Sequence, residues 1–311
     1  MSAAVENAAS FGGPQSGETG LIGSSPLACH SVTVRDSLDQ HRLEAVLVEA
    51  GPYAAVRVLE EADSTNQQLL AAPGVGHLTA WLAEHQTAGR GRLDPATDRS
   101  APRTWQAPPH TAILASVAVR PSVPGSQLTL AMALAALEAI DSITRRFNAI
   151  GAFAAEQGVA HKCSLKWPND IMFGSNKVGG VLTQVGQDGR IVIGLGLNVH
   201  QTAEQLPSDR ATSLSLEGFE VDRTELVIAI LDGFARQYRA WRRSPAALVE
   251  AAAQRMATIG QWIYAVLPSG QVLAGQATGL DQAGRLMLRG QQGHHTHLDS
   301  GDVHHVRSQS T

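Results

Sequence analysis

The alternation of apolar and polar positions changes texture along this chain, and the changes mark out its elements. Residues 1–35 are rich in Ala, Ser, Gly and Pro, show little periodicity, and read as a poorly ordered tail. Asp36 is placed to cap a short helix carrying Leu38, Leu43, Val46 and Leu47, which ends near Gly51-Pro52. "AAVRVLEE" then reads as a strand, followed by a helix in "DSTNQQLLAA" with Asp63 or Ser64 as its cap. Two more strands, "HLTAWLAEHQ" and "HTAILASVAVR", flank an irregular basic run. Over 124–150 the apolar positions shift to helical spacing, and Leu128, Met132, Leu134, Leu137 and Ile140 predict a core-facing stripe.

Three apolar strands follow, "CSLKWPND", "NKVGGVLTQVG" and "RIVIGLGLNVH", with "QDGR" as a hairpin signal between the last two. Helices are predicted over about 222–243 and 245–257, with Pro245 at the first position of the second. From Ile259 the chain turns to short strands with glycine turns, the pattern of a small all-β barrel. The predicted order is therefore α+β: a tail (1–35), a mixed α+β domain (36–257), and a compact barrel (258–311).

Composition narrows the function classes. The chain has 311 residues and a formal net charge of −4, so a broad basic footprint for nucleic acid is not expected. No run is long enough to span a membrane, and no secretory signal stands at the start. Cys29 and Cys163 have no metal or redox spacing. A cytoplasmic protein with buried or incidental thiols is the expectation.

Against that acidic background, "HQTAGRGRLDPATDRSAPRTW" carries four arginines. In "GRGR" the glycines free backbone amides and let a ligand approach, while arginine forks suit phosphate or carboxylate. The run is either a phosphate-contacting loop or a solvated turn, and it lacks the Gly-Lys-Ser/Thr of a Walker loop. "KWPND" is either a strand-ending turn with Trp167 as a core aromatic or a corner presenting indole, amide and carboxylate to a ligand. Lys177, at the head of "NKVGGVL", lies at a solvent edge or points into a pocket, and Gly179 and Gly180 suggest close approach by backbone or ligand. "GLGLNV" lacks the third glycine and the helix of a dinucleotide fingerprint, and suggests a strand bare on one face. Five histidines within 293–305 are too irregularly spaced to predict a metal site.

Taken in order, "DSTNQ", "HQTAGRGR", "LKWPND", "NKVGGVL", "IGLGLNV", "ATSL" and "GDVHHVR" resemble one family, the biotin protein ligases, over about residues 38–307. The resemblance implies a catalytic domain related to class II aminoacyl-tRNA synthetases followed by an SH3-like barrel. It implies adenylation of biotin by ATP, with Mg2+, and then transfer of biotin to a lysine of the biotin carboxyl carrier domain of a carboxylase. Carried over by motif, Ser64, Thr65, Asn66 and Gln86 would line the biotin site, with Trp167, Gly179 and Gly180 beside the bound adenylate. Arg90, Gly91 and Arg92 would close over the biotin carboxylate and the phosphates, and Lys177 would contact the carboxylate and α-phosphate. Asn169, Asp170, Asn198, Thr212 and Ser213 would face the nucleotide, Asp170 by orienting Lys177 or a Mg2+-bound water.

The chain departs from the family where "LDPATDRSAP" separates Arg92 from "RTW", a stretch that reads as an insertion. Only one helix is predicted before "DSTN", too little for a winged helix, so no DNA binding is expected. Strands 177–184 and 190–198 are available to pair across a homodimer interface, and nothing demands that they do. The rival readings are a lipoate–protein ligase or transferase, and a non-enzymatic binding module of the same fold.

Overall fold

The computed structural model describes residues 37–93, 102–123, 125–149 and 163–305. The expected tail, Asp36, Cys29 and most of the expected insertion lie outside them. The first helix, α1 (Gln40–Glu44), is capped by Asp39, whose side chain accepts from the Arg42 amide, and it runs on as a π-helical turn, Ala45–Glu49. It buries Leu43 and Leu47.

Seven strands form the main sheet: β1 (Ala55–Ala62), β2 (Thr79–Gln86), β5 (Ala112–Val119), β6 (Cys163–Lys166), β7 (Asp170–Phe173), β8 (Asn176–Val185) and β9 (Ile191–Asn198). Their order is β1-β2-β5-β9-β8-β7-β6. Only β1 and β2 run parallel, joined by the crossover helix α2 (Thr65–Ala71); the other pairs are antiparallel. Strand β7 is a four-residue strand that the sequence pattern had merged into the turn after "KWPND". Strands β8 and β9 are interior to the sheet, so their backbone edges are taken and cannot extend it into a partner; the edges are β1 and β6.

The two faces of this sheet differ, because side chains alternate along each strand. Ile113, Ala115 and Val117 of β5, with Ile193, Leu195 and Leu197 of β9, belong to the main core. So do the apolar residues from Leu128 to Ile140 of α3 (Leu128–Ala149), behind which lies α4 (Arg223–Arg243). The expected stripe on α3 is buried, and so are Ala131, Ala133, Ala135 and Ala136 around it, because small residues let α3 be covered on several sides at once. Helix α5 (Pro245–Gln254) follows, with Pro245 in its first turn and Ser244 capping it. The opposite face carries α2, which packs Leu69 against Ala118 and Val192, and beside α2 that face lines a cavity.

A buried ion pair ties the segment just before α1 to this frame. Arg223 donates to Glu84 at 2.7 Å and to the Ala112 carbonyl at 3.2 Å. Glu84 in turn accepts from the Leu38 amide. The Cys163 thiol is pushed up to about 12 by burial and by Asp141, so it is an inert core group.

The last five strands form a separate antiparallel sheet, β13-β12-β11-β10-β14: β10 (Trp262–Val266), β11 (Val272–Leu280), β12 (Leu286–Arg289), β13 (His295–Leu298) and β14 (Asp302–His305). Strand β13 falls inside the histidine-rich stretch, and those histidines form no metal-holding cluster among the described residues. The sheet leans on the rest of the molecule through its β11–β12 turn. The Trp167 indole donates to the Gly284 carbonyl at 3.2 Å, and Gln127 donates to the Gln282 carbonyl at 3.0 Å. Among the described residues, no helix is long and apolar enough to cross a membrane.

Candidate functional site

On the sheet face that carries α2 lies a cavity of about 690 Å³, large enough for a drug-sized ligand. Its walls come from the N-terminal end of α2, the ribbon β3 (Arg90–Leu93) with β4 (Pro102–Thr104), strands β5 to β9, and the rim of the C-terminal sheet.

One end is neutral and closely hydrogen-bonded. Ser64 ends the extended approach to α2, so Thr65 and Asn66 sit in the first helical turn and face the sheet. Gln86 accepts from the Thr65 amide at 2.8 Å. The Thr65 hydroxyl lies 3.0 Å from the same oxygen and 2.7 Å from the Ser116 hydroxyl, and its single proton serves one of the two. Ser116 donates to Asn66 Oδ1 at 2.7 Å, and Asn66 Nδ2 donates to the Leu182 carbonyl at 3.1 Å and to Gln184 at 2.9 Å. This chain of amides and hydroxyls fits only because Gly194 is bare: a Cβ there would stand 2.4 Å from Asn66 Oδ1. Arg190 clamps the far end of α2, donating to the Leu69 carbonyl at 2.7 Å and to the Ala72 carbonyl at 3.0 Å.

The other end is cationic. Lys177, at the start of β8, reaches Asp170, at the start of β7, with Nζ 2.5 Å from Oδ1. The end of its stem lies along Gly180, where a Cβ would be 3.4 Å from it. Its backbone is pinned by Arg210 and Thr212, at 2.8 Å and 2.9 Å. The ammonium lies 6.0 Å from the centroid of the Trp105 ring. The Trp105 indole rests on Gly196, where a Cβ would come within 2.5 Å of it. Its Nε1 is buried without a hydrogen-bond partner among the described residues, a donor available to a ligand acceptor. Arg90 is exposed and Arg92 half-buried. Burial lowers the affinity of the Arg92 guanidinium for its proton; Asp170 and Asp302 act the other way and Arg103 adds to the lowering.

The cavity brings together Ser64, Thr65, Asn66, Gln86, Arg90, Gly91, Arg92, Trp167, Asn169, Asp170, Lys177, Gly180 and Asn198. Three expected residues are not on its wall. Gly179 instead lets β8 and β9 approach closely, since a Cβ there would be 2.8 Å from the Gly196 carbonyl. The Thr212 hydroxyl is spent on Glu217 at 2.7 Å, and the Ser213 hydroxyl on the Gln201 carbonyl at 2.7 Å. Both residues are buried, and Thr212 supports Asn198, whose amide donates to its carbonyl at 2.9 Å. Asn169 is likewise committed, donating to the Val181 carbonyl at 2.8 Å. Sequence reasoning missed Ser116, Gln184 and the rim residues Ser300 to Val303. Ser116 had a signal: it is the one hydroxyl in the apolar run "AILASVAV".

A cavity with a neutral hydrogen-bonding end and a cationic end suits an elongated ligand with a polar head and an anionic tail, which defines an α+β protein built to bind a small molecule. The pattern of the Biotin/lipoate A/B protein ligase family matches residues 58–198. The chain is 33% identical to the biotin--[acetyl-CoA-carboxylase] ligase of Mycobacterium tuberculosis, over 88% of this chain and 98% of that one. It is 31% identical to the bifunctional ligase/repressor BirA of Bacillus spizizenii over 69% of this chain, and spans 62% of that relative's length. Among solved structures, the biotin protein ligase from Aquifex aeolicus in complex with biotin and ATP has a TM-score of 0.66 at 26% identity, covering 82% of this chain and 100% of that one. The chain belongs to the biotin/lipoate A/B protein ligase family.

Proposed function

We propose that the chain is an ATP-dependent biotin–protein ligase. The carrying observation is the polarity of a single cavity, a fixed network of neutral hydrogen-bonding groups at one end and Lys177 with the arginine ribbon at the other. In the first step, the biotin carboxylate attacks the α-phosphorus of ATP; the bond to the bridging oxygen breaks, and pyrophosphate leaves with it. In the second, the ε-amine of a carrier-domain lysine attacks the acyl carbon of biotinyl-5′-AMP, an amide forms, and AMP leaves. Neither step needs a nucleophile from the protein. Each needs negative charge to be met by fixed positive charge in a partly dry site.

The residues take roles that follow from their positions. Thr65, Asn66, Gln86 and Ser116 exchange hydrogen bonds with the ureido ring. Lys177 turns from Asp170 towards the carboxylate and α-phosphate. Arg90 and Arg92 cover the phosphates and keep water from the adenylate. Asn169 and Asn198 shape the nucleotide side through the backbone they hold. Thr212 and Ser213 act behind Asn198.

Mg2+ enters with the nucleotide in this reading. The cavity wall offers Asp170 as a carboxylate near Lys177, and no cluster of three or more His, Cys, Asp or Glu among the described residues, so the donors fit an ion carried by the polyphosphate. Such an ion supplies charge neutralisation on the leaving pyrophosphate.

The chain comprises a catalytic domain over 36–257, with a fold related to class II aminoacyl-tRNA synthetases, and an SH3-like barrel over 258–311. The partner is the biotin carboxyl carrier domain of an acyl-CoA carboxylase, in the cytoplasm. A homodimer would have to use a surface other than the backbone edges of β8 and β9. Sequence-specific DNA binding is not part of the proposal, and a gel shift at low salt would overturn that.

The test is mass spectrometry of a purified carrier domain after incubation with the protein, biotin and Mg-ATP. One lysine gains one biotin if the proposal holds. Competition in ATP–pyrophosphate exchange separates the readings: preference for lipoate would replace the substrate, and no exchange with either acid would leave a binding module.

A further inference from the structure

Asp302 heads β14, the last described strand of the C-terminal sheet. It is 199 residues from Arg103 in sequence, yet Arg103 Nη2 donates to its Oδ2 at 2.6 Å. Arg103 sits in β4 of the ribbon, opposite Gly91 of β3: a Cβ at Gly91 would lie 3.2 Å from the Arg103 carbonyl and 3.3 Å from its Cβ. Whatever fixes Arg103 therefore fixes the backbone between Arg90 and Arg92. The charge of the same carboxylate, with that of Asp170, opposes the effect of burial on the Arg92 guanidinium. It is also held from behind. His304 Nε2 lies 3.3 Å from Oδ2, and the His304 ring stacks on Tyr264 with centroids 4.7 Å apart. Asp302 and its neighbours Ser300, Gly301 and Val303 line the cavity that the ribbon borders.

We propose that Asp302 is a positioning residue through which the C-terminal sheet holds the β3–β4 ribbon over the cavity, by pairing with Arg103. The proposal rests on the ligase reading of the cavity for its consequence, but the tie itself does not. Asp302 touches no reacting atom. Its pairing with Arg103 is half-exposed, with side-chain exposures of 46% for Arg103 and 21% for Asp302, so it is weak enough to open for substrates to enter. It links ribbon closure to the seating of the C-terminal sheet, which in this reading is part of the active site and not an appended module.

The test uses the full chain in three variants, Asp302→Asn, Arg103→Gln and the two together. Trypsin cleavage after Arg92 in ligand-free protein reads ribbon exposure without any reaction. Each single change is expected to raise the cleavage rate about fivefold, the size of one exposed ion pair, and the double to add little more. In turnover, KM for ATP rises by a similar factor while kcat falls less. Unchanged cleavage in both single variants, or effects that multiply in the double, would overturn the proposal. Circular dichroism checks folding, and if Asp302→Asn is unfolded, the exposed Arg103→Gln carries the same reading. A wild-type protein that forms no adenylate defeats the ligase reading, while the cleavage arm still decides whether Asp302 holds the ribbon.

Discussion

The two ends of the cavity are built by different physics. At the neutral end, Ser64, Thr65, Asn66 and Ser116 are all buried, and the hydroxyls and amides of the last three satisfy one another or the backbone. Their geometry is set before any ligand arrives, because a buried group without its partner costs more than the bond is worth in water. At the cationic end, Lys177 is 36% exposed and held by one carboxylate, while Arg90 stands in solvent. Those charges can exchange partners cheaply. The contrast suits the proposed reaction, in which the ring must be chosen once and the charges must follow a carboxylate, then an anhydride, then a leaving phosphate.

Four changes break or sharpen this contrast. The largest effect is expected from Lys177→Ala, which removes the charge proposed to meet the reacting groups. Adenylate formation should fall by ~10²–10³ while biotin affinity weakens only moderately, as measured by pyrophosphate exchange and calorimetry. Exchange at near the native rate would exclude Lys177 from the adenylation step.

Gly194→Val attacks the neutral end from behind. Its Cβ would collide with Asn66 Oδ1, at 2.4 Å, and displace the amide from Ser116 and Gln184. A loss of about 2 kcal/mol, roughly 30-fold in biotin affinity, is expected. Native affinity would mean that the neutral end is softer than its hydrogen bonds imply.

Arg92→Gly should leave ring recognition alone and open the ribbon. Stray labelling of lysines on bystander proteins should rise about tenfold as adenylate escapes before transfer. Loss of activity with no stray labelling would refute the shielding role. The smallest effect is expected from Ser116→Ala, which removes one link of a buried chain. Biotin affinity should fall about fivefold, near 1 kcal/mol, with kcat unchanged.

Much of the frame was legible in the linear pattern. Strands β1, β2, β5, β8 and β9 and helices α2 to α5 fall where periodicity and capping residues place them. The cap of α1 is Asp39, not Asp36, because helix starts are decided by which side chain reaches the free amides. Strands β7 and β13 were missed for another reason. Each is four residues long, and what makes a segment that short a strand is the neighbour it pairs with.

For the site, motif order was enough to collect thirteen of its wall residues, from Ser64 to Asn198. It failed where a residue's chemistry is already taken. Thr212 and Ser213 carry suitable hydroxyls, but Glu217 and the Gln201 carbonyl consume them, and no linear pattern records that.

By itself the sequence determined the local elements, the ordered glycine, arginine and lysine motifs, and hence the family. Those depend on backbone propensity, on periodicity and on which chemical groups are present. Only the tertiary structure decided that Gly194 and Gly196 are bare to seat Asn66 and Trp105, that Ser116 joins the neutral network, and that Asp302 of the C-terminal sheet meets Arg103 of the ribbon. The reason is distance. A contact between residues 199 positions apart leaves no trace in local periodicity, and arises only when two separately formed sheets are packed together.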